Sequence, residues 1–260
     1  MLASLDGRIQ PTDDAVIPIT DAGFLRGDGA FEVIRLYGGV PFALDEHLAR
    51  MGRTSANIRL PFDPDAFEAD VVALLAKAQP GDAQLRLVAT RGGRRLAIVE
   101  PLADVPPTLA LRTITYSPSR LLDDVKSLSY AANMLASRIA QERGGDEALL
   151  VTPHGRVLEG PRQTFVVSLD GATLVTPPLD DHVLDSITRR HLFALGALVE
   201  RPVTLVELSG AREAFLASTT REVHPVHEID GHQLPAAPGP LTSAAAEALH
   251  EHIRRAVGAA

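Results

Sequence analysis

Val125-Lys126-Ser127-Leu128-Ser129-Tyr130 is the stretch on which the reading of this chain turns. Among 25 basic residues only two are lysine, Lys77 and Lys126; the rest are arginine. An arginine guanidinium stays protonated, whereas a lysine amine becomes a nucleophile where its surroundings lower its pKa. Lys77 closes an amphipathic helix between Ala76 and Ala78, where a cation complements the helix dipole and points to water. Lys126 follows a polar, irregular run, Ser117 to Asp124, and precedes the apolar Leu128, Tyr130, Ala131 and Met134. The polar run reads as an interdomain linker. A lysine beside it is open to partial desolvation, and pockets tend to form where domains meet. On local grounds alone, an ordinary exposed lysine is the competing reading.

Outward from this stretch the chain divides into groups of strands and helices. On its N-terminal side, residues 1–43 read as short strands. Phe31 to Tyr37 turns at Gly38-Gly39 into a second strand, Val40 to Leu44. Asp45 reads as the N-cap of a helix with Leu48, Met51 and Ile58 inward, and a second helix runs from about Pro64 to Ala78. Strands at Gln84 to Thr90 and Thr108 to Tyr116 are expected to be joined by an Arg- and Gly-rich turn. On the C-terminal side a helix from about Tyr130 to Arg143 closes at Gly144-Gly145. Strands follow at Glu147 to Thr152, Arg156 to Leu158, Gln163 to Ser168 and Thr173 to Thr176. A helix runs from Ser186 to about Ala197, then come strands Ala214 to Ala217 and Glu222 to Ile229, and a last helix from Leu241 to Val257. Grouped elements of this kind predict α+β architecture, not a doubly wound parallel sheet. The expected organisation is an N-terminal domain over 1–117, a linker over 118–125 and a C-terminal domain over 126–260 that carries Lys126.

Composition removes several classes of function. There is no cysteine, which excludes disulfides, zinc–thiolate sites and cysteine nucleophiles. A net charge of −8 argues against broad nucleic-acid binding. No apolar run reaches the ~18–20 residues of a bilayer span, and Asp6, Arg8, Asp13 and Asp14 interrupt any leader-like start. A cytoplasmic protein without membrane partners is expected. His224 and His227 would stand on opposite faces of a strand, so no metal site is expected there. Walker A, nucleophile-elbow and dinucleotide-binding patterns are absent from the sequence.

Six segments taken together resemble the class IV aminotransferase family, the fold type IV pyridoxal-phosphate enzymes. Gly27-Asp28-Gly29-Ala30-Phe31-Glu32 is similar to the family's GDG-x-[FY]-E segment, and Glu46-His47-Leu48-Ala49-Arg50-Met51 to its H-[LI]-x-R-L helix. Lys126-Ser127-Leu128 resembles the cofactor-lysine segment. Asp146-Glu147-Ala148-Leu149-Leu150 with Gly155-Arg156-Val157-Leu158-Glu159-Gly160 resembles the D-E-A hairpin. Ser186-Ile187-Thr188-Arg189 and Ala217-Ser218-Thr219-Thr220 resemble the two phosphate-binding turns. The likeness spans nearly the whole chain in the expected order.

The resemblance implies a two-domain fold like that of D-amino-acid aminotransferases, with pyridoxal 5'-phosphate in the interdomain cleft. It implies that Lys126 holds the cofactor as a Schiff base and later moves the substrate's Cα proton. Glu159 is implied as the partner of the ring nitrogen, Tyr130 of the phenolic oxygen, and Arg50, Ile187, Thr188 and Thr219 as phosphate ligands. Phe31, Val33 and Arg35 alternate onto one strand face and, with Arg86, Arg91 and Thr220, are implied on the substrate side. A homodimer is implied too, since relatives borrow pocket residues from the neighbouring subunit. The substrate reading stays divided. The first reading is transfer between an amino acid, of D configuration, and a 2-oxo acid such as pyruvate or 2-oxoglutarate. The alternative is release of pyruvate and 4-aminobenzoate from aminodeoxychorismate. The Glu-Val-Ile-Arg-Leu-Tyr stretch leans towards transfer. Thr90-Arg91-Gly92-Gly93-Arg94-Arg95 lacks the histidine of the usual D-amino-acid carboxylate trap.

Overall fold

A computed structural model describes residues 1–258 of the chain. They fall into two compact units. The first comprises Met1–Asp104, Asp124–Tyr130 and the chain from Arg255; the second comprises Val105–Asp123 and Ala131–Arg254. The expected linker is thus shared: 118–123 belongs to the second unit, and 124–125, with Lys126, to the first. Backbone bonds explain why Lys126 stays with the N-terminal part. The Phe31 N–H donates to the Lys126 carbonyl at 3.1 Å, and the Leu128 N–H to the Gly29 carbonyl at 2.9 Å.

The first unit holds β1 (Leu2–Leu5), β2 (Arg8–Pro11), α1 (Ala22–Arg26), β3 (Gly29–Tyr37), β4 (Val40–Pro41), α2 (Leu44–Asn57), α3 (Pro64–Ala78), β5 (Ala83–Thr90) and β6 (Arg95–Glu100). Its six strands form an antiparallel sheet in the order β2-β1-β6-β5-β3-β4. Alternation along β3 and β5 sends Ala30, Ile34, Leu36, Leu85 and Leu87 to one face. There they pack with Leu48, Met51, Phe67, Val71 and Leu74 of α2 and α3. Asp63 caps α3 through the Ala66 N–H at 3.0 Å, with Pro64 in the first turn, where its missing N–H costs nothing.

Three expectations for this unit are corrected. Helix α2 begins at Leu44, with Ala43 in the left-handed region at its cap position and no side-chain cap; Asp45 lies inside the first turn, where it faces the helix dipole. The strand from Val40 stops at Pro41, because Ala43 in the left-handed region turns the chain into α2. The Arg- and Gly-rich segment is a tight hairpin into β6, not a connection to residue 108. Arg94-Arg95 hid the strand pattern of Leu96 to Val99, and Gly93 at positive φ lets the Thr90 N–H bond the Arg94 carbonyl.

The second unit holds β7 (Leu109–Thr115), α4 (Ala131–Glu142), β8 (Glu147–Val151), β9 (Thr164–Ser168), β10 (Val175–Thr176), α5 (Ile187–Ala194), β11 (Val199–Glu200), β12 (Glu213–Ser218), β13 (Glu222–Ile229), β14 (His232–Gln233) and most of α6 (Pro240–Gly258). Its mixed sheet has the order β11-β10-β9-β12-β13-β7-β8, with β14 paired to β13. β7 runs parallel to both β13 and β8. Five consecutive buried residues in β8 and again in β9 mark strands covered on both faces. The expected strand at Arg156 to Leu158 is corrected to isolated bridges. Its N–H groups go to different neighbours, Val157 to the Val203 carbonyl and Leu158 to that of Leu150.

Candidate active site

In the first unit, Lys126 lies against the start of β3. Its Nζ stands 4.3 Å from the ring centroid of Phe31 and 5.7 Å from that of Tyr130. The two rings meet edge to face, with centroids 5.3 Å apart. The Lys126 N–H donates to Thr54 Oγ1 of α2 at 3.1 Å, so the lysine backbone is tied to a helix as well as to a strand. Three residues that the sequence placed at the cofactor or substrate, Phe31, Lys126 and Tyr130, are therefore neighbours.

Arg50 projects from α2 and is 4% exposed. Its Nε and Nη2 donate to the two oxygens of Glu32, and His47 joins the same carboxylate. Glu32 and His47 were not among the residues selected from the sequence. The available signal was alternation: with Phe31, Val33 and Arg35 on one face, Glu32 falls on the apolar one, where a carboxylate calls for a partner.

Val33 and Arg86 are paired across β3 and β5. Arg35 holds its guanidinium carbon 4.7 Å from the Tyr37 ring centroid. Arg86 donates to Glu100 at 2.9 Å. Arg91 pairs with Asp28 through Nε at 3.1 Å and reaches the Ile58 and Arg59 carbonyls. Of the arginines selected for a substrate carboxylate, two are thus engaged by side-chain carboxylates of this chain.

In the second unit, Glu159 follows the irregular arm after Gly155. Its Oε1 accepts the Leu184 N–H at 3.1 Å, and its charge adds to burial in pushing the Tyr116 hydroxyl pKa up. Helix α5 starts at Ile187 with Ser186 as its cap, Oγ accepting the Arg189 N–H at 3.3 Å. The Ile187 and Thr188 N–H groups belong to the first turn, whose donors have no acceptor within the helix; Thr188 is 5% exposed. Helix α5 packs on β12, whose end leads into the turn of Thr219 and Thr220. At that end Ser218 Oγ is buried without a hydrogen-bond partner among the described residues. Its segment stood out in the sequence, although the serine itself did not.

Elsewhere in this unit, Glu147 gathers Ser137, Arg162 and Gln163. His224 is buried and bonds the Pro106 carbonyl, and the described residues contain no cluster of three metal-ligating side chains. No helix among them is long and apolar enough to cross a membrane.

Residues 29–229 match the family model described as amino-transferase class IV. A putative branched-chain-amino-acid aminotransferase of Methanocaldococcus jannaschii is 36% identical over 253 residues, covering 87% of each chain. D-alanine aminotransferase of Bacillus licheniformis is 32% identical over 277 residues, covering 97% of each. Among solved structures, a fold IV transaminase from Curtobacterium pusillum superposes with a TM-score of 0.85 at 28% identity, covering 95% of this chain and 98% of that one.

Proposed function

The chain belongs to the class IV aminotransferases, and from that premise we propose that it moves an amino group between a D-amino acid and a 2-oxo acid, with Lys126 as its catalytic residue. Membership makes it a fold type IV transaminase that uses pyridoxal 5'-phosphate. The observation that carries the residue assignment is the seat of Lys126 Nζ at the Phe31–Tyr130 ring pair. The D configuration is supported by the likeness to a D-alanine aminotransferase over 97% of both chains.

The residues present suit the group. A phosphate dianion needs hydrogen-bond donors, and the free N–H groups of the α5 first turn, the Thr188 hydroxyl and the unsatisfied Ser218 Oγ are donors of that kind. When bound, pyridoxal 5'-phosphate supplies an aldehyde for an amine and a ring that accepts an electron pair. Lys126 Nζ would hold it through that aldehyde and would supply the base that moves the substrate Cα proton. Glu159 would accept a hydrogen bond from the ring nitrogen, and the Leu184 N–H donates to that carboxylate and helps to orient it. Tyr130 is assigned to the phenolic oxygen, and Arg50, Ile187, Thr188 and Thr219 to the phosphate. Phe31, Val33 and Thr220 shape the substrate side. Arg35, Arg86 and Arg91 are assigned to the substrate carboxylate; Arg35 and Arg86 share the sheet face of Phe31 and Val33.

Amino transfer to pyruvate or 2-oxoglutarate, followed with D-alanine, D-glutamate, L-leucine and L-valine as donors, tests the proposal. The D-donors are expected to react and the L-donors not to. Transfer from the L-branched-chain donors alone overturns the stereochemistry. Release of 4-aminobenzoate and pyruvate from aminodeoxychorismate with no amine transfer overturns the reaction.

A further inference from the structure

Glu32 stands on β3 among the core-facing residues and is 0% exposed. An isolated carboxylate there would be strongly unfavourable, and α2 supplies what offsets it. Arg50 Nε donates to Oε1 at 2.7 Å and Nη2 to Oε2 at 2.6 Å, while His47 Nδ1 lies 2.8 Å from Oε2. His47 and Arg50 are three residues apart, on one face of the helix. Pairing through Nε and Nη2 is side-on, so it fixes both the plane of the guanidinium and the direction of Nη1.

The electrostatics agree with a fixed unit. Burial alone would raise the Glu32 pKa, yet the charge and hydrogen bonds of Arg50, then of His47, bring it to about 2. His47 moves the other way. Burial is the main cause of its lowered pKa, and the charges of Arg50 and Lys126 act in the same direction, against Glu32. A neutral His47 can offer the carboxylate a proton only from Nδ1, which sets its tautomer. A buried ion pair of this kind is weak evidence for stability, since apolar residues of similar volume often serve a core as well. Geometry is what it supplies. The strand that carries Glu32 also takes the Lys126 carbonyl through the Phe31 N–H, so one strand fixes both the amine and the guanidinium.

We propose that Glu32 is a positioning residue that acts through Arg50, holding the guanidinium in the orientation from which it takes the cofactor phosphate, with His47 clamping its second oxygen. This rests on the phosphate role assigned to Arg50 above.

The test compares pyridoxal 5'-phosphate with pyridoxal, which has the same aldehyde and no phosphate. Both are titrated into the cofactor-stripped full chain, with binding read by absorbance and folding by thermal melting. Glu32→Gln is expected to lose about tenfold or more in affinity for the phosphorylated form and less than about twofold for pyridoxal. In an Arg50→Lys background the same substitution should add less than about twofold. Equal losses for both ligands, or additive losses with Arg50→Lys, overturn the proposal. An Arg50→Lys protein with the wild-type preference for the phosphorylated ligand fails the phosphate reading of Arg50 itself and removes the basis of the proposal. Should Glu32→Gln not fold, His47→Gln decides, because it leaves the Glu32–Arg50 fork intact. A loss of about threefold confined to the phosphorylated ligand supports the clamp; no loss, or loss for both ligands, overturns it.

Discussion

Replacing Glu147 by glutamine removes one charge from the second unit and nearly preserves shape. In the protein, Oε1 accepts from Ser137 Oγ at 2.5 Å and from the Ala148 N–H at 3.1 Å. Oε2 accepts from Arg162 Nη2 at 2.8 Å and from Gln163 Nε2 at 3.4 Å. A glutamine has one oxygen for these two sides, so its amide faces donors on one of them whichever way it is turned. Burial raises the Glu147 pKa, but the bonds from Ser137 and Arg162, with Arg162's charge, leave it below the usual carboxylate range. Loss of a charge-assisted hydrogen bond costs about 1.5–3 kcal/mol. Arg162 has 44% of its side chain exposed, which screens the pair and favours the lower half of that range, about 2 kcal/mol. For a chain of this size that is a drop of roughly 4–8 °C in Tm. Scanning calorimetry at pH 7 and at pH 4 checks both size and sign. A depressed carboxylate pKa contributes stability above the unfolded value, and this is lost as pH falls through the folded value. The gap between wild type and Glu147→Gln should therefore narrow towards acid. Melting within about 1 °C of wild type at pH 7, or a gap that does not change with pH, would refute the reasoning.

Acid should weaken the first unit in two stages. The unfolded chain protonates His47 below its ordinary 6.5 while the folded chain resists, and the lowered Glu32 pKa then costs stability between 4.5 and about 2. Urea midpoints against pH should show both limbs, with only the upper one flattened in His47→Gln. A Cβ at Gly29 would stand 2.4 Å from the Ala89 carbonyl oxygen and 2.6 Å from Leu128 Cδ1. Gly29→Ala should thus cost about 2 kcal/mol or more by urea unfolding and loosen cofactor retention on dialysis. Lys126→Arg should lower amino transfer by about a thousandfold or more in the D-alanine assay, because a guanidinium neither attaches an aldehyde nor relays a proton. Lys77→Ala, at an exposed helix end, should stay within about 0.5 kcal/mol of wild type by the same urea titration.

The local elements were legible where a single face or a single punctuating residue governed them. Helix α3 runs from Pro64 to Ala78 as read, and β3 alternates between buried and half-buried residues from Glu32 to Tyr37. The errors came where backbone bonds skip along the chain. Nothing near Asp45 announces that Ala43 takes the cap position. Nothing near Arg156 says that its arm shares N–H groups between Val203 and Leu150. The candidate site follows the same division. Lys126 stood out by composition, whereas the Phe31 ring under its amine comes from the far side of the first unit's sequence. Arginines are hardest to read, because fork geometry suits a substrate carboxylate and an internal one equally. Only the structure shows Glu100 and Asp28 on Arg86 and Arg91.

The tie between β3 and the lysine segment also bears on the order of assembly. The first unit's sheet is encoded before residue 101, yet Gly29 and Phe31 find their backbone partners only at Leu128 and Lys126. A chain emerging from the ribosome therefore exposes this short open edge throughout synthesis of β4 to β7. Lys126 and Leu128 close it in a late, long-range step that carries a loop-closure cost. The segment bearing Lys126 thus doubles as the latch that completes the first unit, and a nascent chain halted before it should remain prone to pairing its edge with another copy.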